Sequence, residues 1–187
     1  MPRVGLSPAA VVDAAIELLD AEGPEALTLT AVAKHAGVAP PSLYKHVPSL
    51  GALRDQIAQR VVEDLRDTIA SAVLGRSRDE AIGAAMLAYR AYVVAHPRRY
   101  ALFPQAPPED PQLTAATAAL LEVVLAVLRG YGLDGSAEIH AARAFRAVAH
   151  GFASLEAAGG FGLPVDLDTS YEHLVRLLTA GLPGFAG

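Results

Sequence analysis

Between Ala26 and Arg54 the chain carries no Asp or Glu, and there it holds Lys34, His35, Lys45, His46 and Arg54. Hydroxyls at Thr28, Thr30, Ser42, Tyr44 and Ser49 and the tandem Pro40-Pro41 fall in the same window. These are groups that suit a polyanion. Lys45 meets a phosphate as a compact point charge. Tyr44 donates its hydroxyl to a phosphate while its ring packs on a sugar. Ser42 and His46 bond base edges or phosphate, and Pro40 and Pro41 offer apolar contact to thymine methyls. Thr28 and Thr30 bond phosphate beside the free amides of a helix start. Ser49, at the head of a later helix, and Arg3, in the N-terminal arm, join the candidate DNA-binding set. The formal net charge of −5 opposes such a role only as a sum. The acids of the first 50 residues, Asp13, Glu17, Asp20, Glu22 and Glu25, all precede the window, and distribution matters more than total.

The residues that carry catalysis are not arranged for it. The six histidines, His35, His46, His96, His140, His150 and His173, form no i, i+4 pair and no H-E-x-x-H, which a helical zinc site requires. There is no G-x-S-x-G elbow, P-loop or G-x-G-x-x-G. Gly159-Gly160-Phe161-Gly162 follows a helix rather than a strand, so it reads as a helix stop. With no cysteine, disulfides and thiolate metal sites are excluded. No catalytic residue, cofactor or metal is expected. The N-terminus lacks the apolar core of a signal peptide, and no unbroken apolar run of about 18 residues occurs, so a soluble cytoplasmic protein is expected.

The elements that must position these groups are helices. Hydrophobic residues make up 52% of 187, aromatics only 6%, and no useful strand alternation appears. Ser7-Pro8 opens a first helix that Gly23-Pro24 stops. Thr28 caps a short second helix, with Gly37 where a left-handed C-terminal residue is wanted. Pro40-Pro41 starts a third, carrying Leu43 and Val47, and Pro48 ends it. Ser49 caps a long fourth helix with Leu53, Ile57, Val61, Leu65, Ile69 and Val73 at four-residue intervals. Ser77-x-x-Glu80 reads as a capping box for a helix running to about His96. Asp110-Pro111 opens an apolar helix ending near Gly130. Another spans about 134–158, and Thr169-x-x-Glu172 reads as a second capping box for the last.

Two short helices joined by a tight glycine turn make a helix-turn-helix. Ala33 and Ala36 are small where the helices cross, Gly37 turns, Val38 plugs, and Leu43 and Val47 face inward. Pro41, Ser42, Tyr44 and Lys45 are thereby turned outward, toward a major groove. The whole pattern, T-x-x-x-V-A-x-x-A-G-V-x-x-x-S-L-Y-x-H-V at 28–47, resembles the DNA-binding domain of the tetracycline-repressor (TetR) family. That resemblance implies a cytoplasmic homodimer on a palindromic operator, usually a repressor released by a small molecule bound in a helical C-terminal domain. Leu50 stands where the family commonly has Lys, and Thr30 where many members have Arg or Lys. Both remove charge from the DNA-facing surface.

The expected architecture is all-α with about nine helices. A three-helix helix-turn-helix DNA-binding domain at 1–48 precedes a helical ligand-binding and dimerisation bundle at 49–187. Ala95-His96-Pro97-Arg98-Arg99-Tyr100 and His150-Gly151-Phe152-Ala153-Ser154-Leu155-Glu156 resemble the WHG branch of the family, without its Trp. Residues 134–158 are rich in Ala and Gly, and with the last helix they are expected to pair with a second copy through residues 134–181 as a four-helix bundle. A ligand pocket is expected among the fourth to eighth helices, with Met86, Tyr89, Arg90, Phe103, Leu121, Arg143 and His150 as candidate lining. Arg143, Ala147 and His150 share a helical face and so form a candidate polar strip inside the bundle. The effector is unknown. The alternative is a protein-interaction module with a weakened DNA-binding domain.

Overall fold

Ser7 sets where the chain becomes helical: its hydroxyl oxygen accepts from the amide of Ala10 at 3.2 Å, and Pro8 fills the first position. The computed structural model describes residues 7–186, so Arg3 lies outside the described residues. Among those described there are nine α-helices and no strand. They are α1 (Pro8–Glu22), α2 (Leu29–His35), α3 (Pro40–Leu43), α4 (Leu50–Val73), α5 (Arg78–Ala95), α6 (Pro97–Tyr100), α7 (Pro111–Arg129), α8 (Gly135–Ala157) and α9 (Leu167–Gly181). Short 3-10 turns occupy Pro24–Ala26 and Leu182–Ala186. The all-α expectation holds.

The chain divides into two compact units. The first is residues 1–62 with 98–116, and the second is residues 63–97 with 117–187. In the first, α1 buries Val11, Val12, Ala15, Ile16, Leu18 and Leu19, and α2 packs on both α1 and α3. In the second, α5 packs chiefly on α8, with α9 against α5 and α8. Along α4, Leu53, Ile57, Val61, Leu65 and Ile69 are all fully buried, as their four-residue spacing predicts, while Val73 is half-buried. α7 has a mean hydropathy of 1.7 over 18 residues, enough by length and composition to cross a membrane. Counting unbroken apolar runs does not detect this, because Glu122 interrupts it. Its Leu120, Val124 and Leu128 are buried at helical spacing while Glu122 pairs with Arg129 at 3.3 Å on the exposed side, the pattern of a bundle helix.

Two helix starts differ from the sequence expectation. Ser77 makes no side-chain cap, and Glu80 pairs with Arg76 at 3.2 Å instead. Arg78 sits at φ +50°, a left-handed backbone that costs a non-glycine about 1 kcal/mol. Its guanidinium donates to the Gly130 carbonyl at 3.2 Å and lies 4.8 Å from the Tyr131 ring centre. A tertiary contact has overridden the local motif. At α9 the cap is Asp166, whose carboxylate accepts from the Thr169 amide at 2.7 Å, so the helix begins at Leu167 and not after Thr169.

Candidate nucleic-acid interface

The helix-turn-helix is built from its caps. The Thr28 hydroxyl oxygen accepts from the Ala31 amide at 3.1 Å and fixes where α2 begins. At its other end, Val38 N–H donates to Ala33 at 2.9 Å and Gly37 N–H to Lys34 at 3.1 Å. Gly37 stands at φ +68°, the left-handed residue that this helix end needs. The turn leads into α3 with Pro40 and Pro41 at its first positions, where missing amides cost nothing. α3 is a single turn. Val47 lies beyond it, but its amide bonds the Leu43 carbonyl at 3.0 Å, which keeps both side chains on the buried side. Leu43 and Val47 are completely buried, as are Val32 and Ala33 beneath them.

That burial fixes what is presented outward. Pro40, Pro41, Tyr44, Lys45 and Ser49 are exposed, Tyr44 by 56%, while Ser42 and His46 are half-buried. Thr28 and Thr30 are exposed at the start of α2. Ser49 caps α4 by accepting from the Ala52 amide at 3.0 Å. Thr28 and Ser49 thus use an oxygen lone pair on their own helices, and their O–H protons remain to donate to an outside acceptor such as phosphate. Leu50, an uncharged residue at the first position of α4, is half-buried.

Ion pairs hold the frame behind this surface. Glu17 on α1 meets His35 on α2 at 3.1 Å, and Asp13 on α1 meets Arg60 on α4 at 3.1 Å. Asp20 is paired with Arg99. Asp13 and Asp20 of α1 are therefore each set against an arginine from another helix, which offsets negative charge in a module whose outward groups suit an anion.

The candidate ligand residues separate. Met86 and Tyr89 are core, and Tyr89 meets Phe145 edge-on with ring centres 6.4 Å apart. Arg90 lies beside them but is not open to an anionic ligand. Its Nε and Nη2 donate to the two Glu156 oxygens at 2.6 and 2.7 Å, its Nη1 pairs with Asp168 at 2.7 Å, and Phe152 and Tyr171 lie against it. The Glu156 bond, more than the neighbouring charges, holds its pKa above the ordinary arginine value. Phe103 belongs to the first unit and stacks on Tyr100 at 5.0 Å. Leu121 is 42% exposed. Arg143 and Ala147 are exposed and His150 is half-buried, so the strip they form faces out of the chain and not into its core. His150 approaches Ser154 at 3.4 Å, and burial, then the charge of Arg146, hold its pKa below the ordinary value.

The sequence held a signal for the Arg90 cluster. Arg90 is the only charge between Ala81 and Ala95, and Glu156 the only acid between Ile139 and Val165. A lone arginine in one apolar stretch and a lone acid in another call for each other as partners. By that route the Arg90–Glu156 pair was legible, whereas Asp168, Phe152 and Tyr171 were not, because nothing in the spacing brings the start of α9 or these rings to Arg90.

A capped helix-turn-helix with an apolar floor and an outward face of hydroxyls, prolines and one lysine, in a chain whose second unit is a helical bundle, defines a DNA-binding transcriptional regulator. Comparison with known proteins narrows the class. Residues 11–57 match the profile described as bacterial regulatory proteins, tetR family, and residues 82–178 that of the tetracyclin repressor-like C-terminal domain. An HTH-type transcriptional regulator of Mycobacterium tuberculosis is 40% identical over 179 residues, covering 95% of this chain and 82% of that protein. The structure of a Rhodococcus sp. RHA1 protein superposes with a TM-score of 0.84 at 24% identity, over 98% of this chain and 99% of its own. A TetR variant of Acinetobacter baumannii AYE, solved with minocycline, does so with a TM-score of 0.76 at 21% identity, over 97% and 99%. The chain belongs to the TetR family of transcriptional regulators.

Proposed function

We propose that the chain is a homodimeric repressor that binds a palindromic operator in duplex DNA and is released by a small molecule. The observation that carries the DNA half is the fixed inversion at Gly37, which buries Leu43 and Val47 and leaves Tyr44 and Lys45 outside. Thr28, Thr30, Pro40, Pro41, Ser42, His46 and Ser49 complete the contact set. Residues up to about 48 read DNA, and the remainder binds effector and partner copy. The protein works in the cytoplasm and performs no catalytic step.

Pairing is supported by what one chain leaves uncovered. Ile139 and Leu155 on α8 and Leu177 on α9 are 36%, 51% and 70% exposed, beside the exposed Ala147 and the half-buried Gly151, at which an added Cβ meets nothing within 4 Å. Large apolar groups beside small ones on two neighbouring helices suit a second copy. Effector release is supported by the minocycline-bound TetR variant of the same fold. Met86 and Tyr89 belong to the apolar interior that an effector would enter.

Fluorescence anisotropy on promoter duplexes tests the reading. The wild-type chain binds one such duplex in preference to random DNA, and added salt weakens it. Tyr44→Ala with Lys45→Ala abolishes binding while the helical circular dichroism is unchanged. Absence of any preference at low salt overturns this reading in favour of an interaction module whose DNA-facing charge was lost at Thr30 and Leu50.

A further inference from the structure

The segment that follows His96-Pro97 has no part in the helix-turn-helix, yet residues 98–116 fold with the N-terminal helices and not with the bundle on either side in sequence. Two adjacent arginines on α6 tie it there. Arg98 Nη1 donates to the carbonyl of Asp20 at 2.7 Å and also to that of Ala21. Arg99 Nε donates to both carboxylate oxygens of Asp20, at 3.1 and 3.0 Å, and its Nη2 closes the ion pair.

The chemistry of the end of α1 explains why it needs them. The last carbonyls of a helix have no donor within it. Gly23 N–H satisfies Leu19 at 2.8 Å, but the next donor that would continue the series belongs to residue 24, a proline without an N–H. The Asp20 carbonyl cannot be capped by the amide four residues on. Arg98 supplies the missing donor, and a cation at this end also complements the helix dipole. Arg99 is 19% and Asp20 32% exposed, so their forked pair is partly shielded from water.

What the clamp fixes lies immediately upstream of the DNA-facing helices. From Asp20 the chain passes through Gly23 at φ +90° and the turn Pro24–Ala26 to Thr28, the cap of α2. We propose that Arg98 and Arg99 are positioning residues for DNA reading. The DNA-reading module is discontinuous, completed by α6, and the arginines act through the end of α1 on where α2 begins, without touching DNA. This rests on the reading of α2 and α3 as the operator-binding helices.

The test uses the full chain and the duplex that the wild type selects from genomic fragments. Arg99→Gln and Asp20→Asn each weaken that duplex about tenfold at fixed salt, and the double variant is no weaker than either single one. The slope of log K against log salt stays at the wild-type value in all three, whereas Lys45→Ala lowers it by about one. Hydrogen exchange without DNA shows faster exchange for amides from Ala21 to Ala31, with α5 and α8 unchanged. Unaltered affinity in Arg99→Gln overturns the proposal. So does a slope reduced by about one, which would make Arg99 a phosphate contact, and so does protection lost throughout the chain. If the wild type selects no duplex, the operator reading fails, and the exchange measurement still decides whether the clamp orders the start of α2. Arg98→Met, which removes only the carbonyl bonds, gives the same local signature if Asp20→Asn does not fold.

Discussion

Gly37 turns the chain at φ +68°, and a Cβ placed there meets nothing within 4 Å. Gly37→Ala therefore carries only the conformational cost of a left-handed alanine, about 1 kcal/mol, seen as a lower urea midpoint with unchanged slope. The position was legible because the requirement is local: a helix end followed by an apolar plug needs a residue free to take positive φ. His150 gives a second prediction, with a sign. Burial and Arg146 lower its pKa in the folded state, so between that value and the ordinary one near 6.5 the unfolded chain holds more protons. Stability is fully present above that range and falls as pH drops through it. Unfolding of wild type and His150→Gln at pH 7.5 and pH 5.5 checks this, the loss on acidification being smaller in the variant. That His150 titrates anomalously was not legible, because it depends on how much of an amphipathic helix face its neighbours cover.

At the scale of elements, most caps made by a residue on its own helix were readable, α9 excepted, where Asp166 caps three residues before the expected Thr169, and the one that competes with distant contacts was not. Ser7, Thr28, Ser49 and Asp110 all accept from amides two or three residues on. Ser77 fails because Arg78 is drawn to Gly130 and Tyr131, 52 positions away or more. The join of α5, α8 and α9 has the same non-local character. Arg90 on α5 is held by Glu156 on α8 and by Asp168 in the first turn of α9, with its side chain 12% exposed and that of Glu156 15%. Removing one partner of a buried pair leaves the other charge unmatched, while replacing both with apolar groups does not. Arg90→Met should cost about 3 kcal/mol, and Arg90→Met with Glu156→Leu should recover most of it. Chemical denaturation of the two variants measures the difference. A double variant as unstable as the single would place the stabilisation in the Arg90 ring contacts with Phe152 and Tyr171.

At the scale of the whole molecule, the sequence makes eight helices and their order plain, because 3.6-residue periodicity and proline stops are written locally, while the single turn α6, directly after His96, is too short to show a period. It does not show that residues 98–116 fold with the first 62, since the bonds responsible join residues 77 to 79 positions apart. Nor does it say which face of α8 is outside: the strip through Arg143, Ala147 and His150 has helical spacing on either reading. With that strip outward, the pairing of two chains proposed for this face bears directly on DNA affinity. The DNA-facing surface has few cations, with Leu50 and Thr30 uncharged, so a single copy makes few phosphate contacts and releases few counterions. Two copies on a palindrome double the contacts and make the second half-site an intramolecular event. Leu155→Glu with Leu177→Glu places four carboxylates in the proposed paired interface and leaves the residues of the helix-turn-helix unchanged. Light scattering should then give the mass of one chain where the wild type gives two, with helical circular dichroism retained because both side chains are exposed in the single chain. Operator affinity should fall at least a hundredfold, to that of an isolated half-site. A variant that remains dimeric would move the pairing surface off α8 and α9, and a monomer of undiminished affinity would show that one low-charge helix-turn-helix suffices.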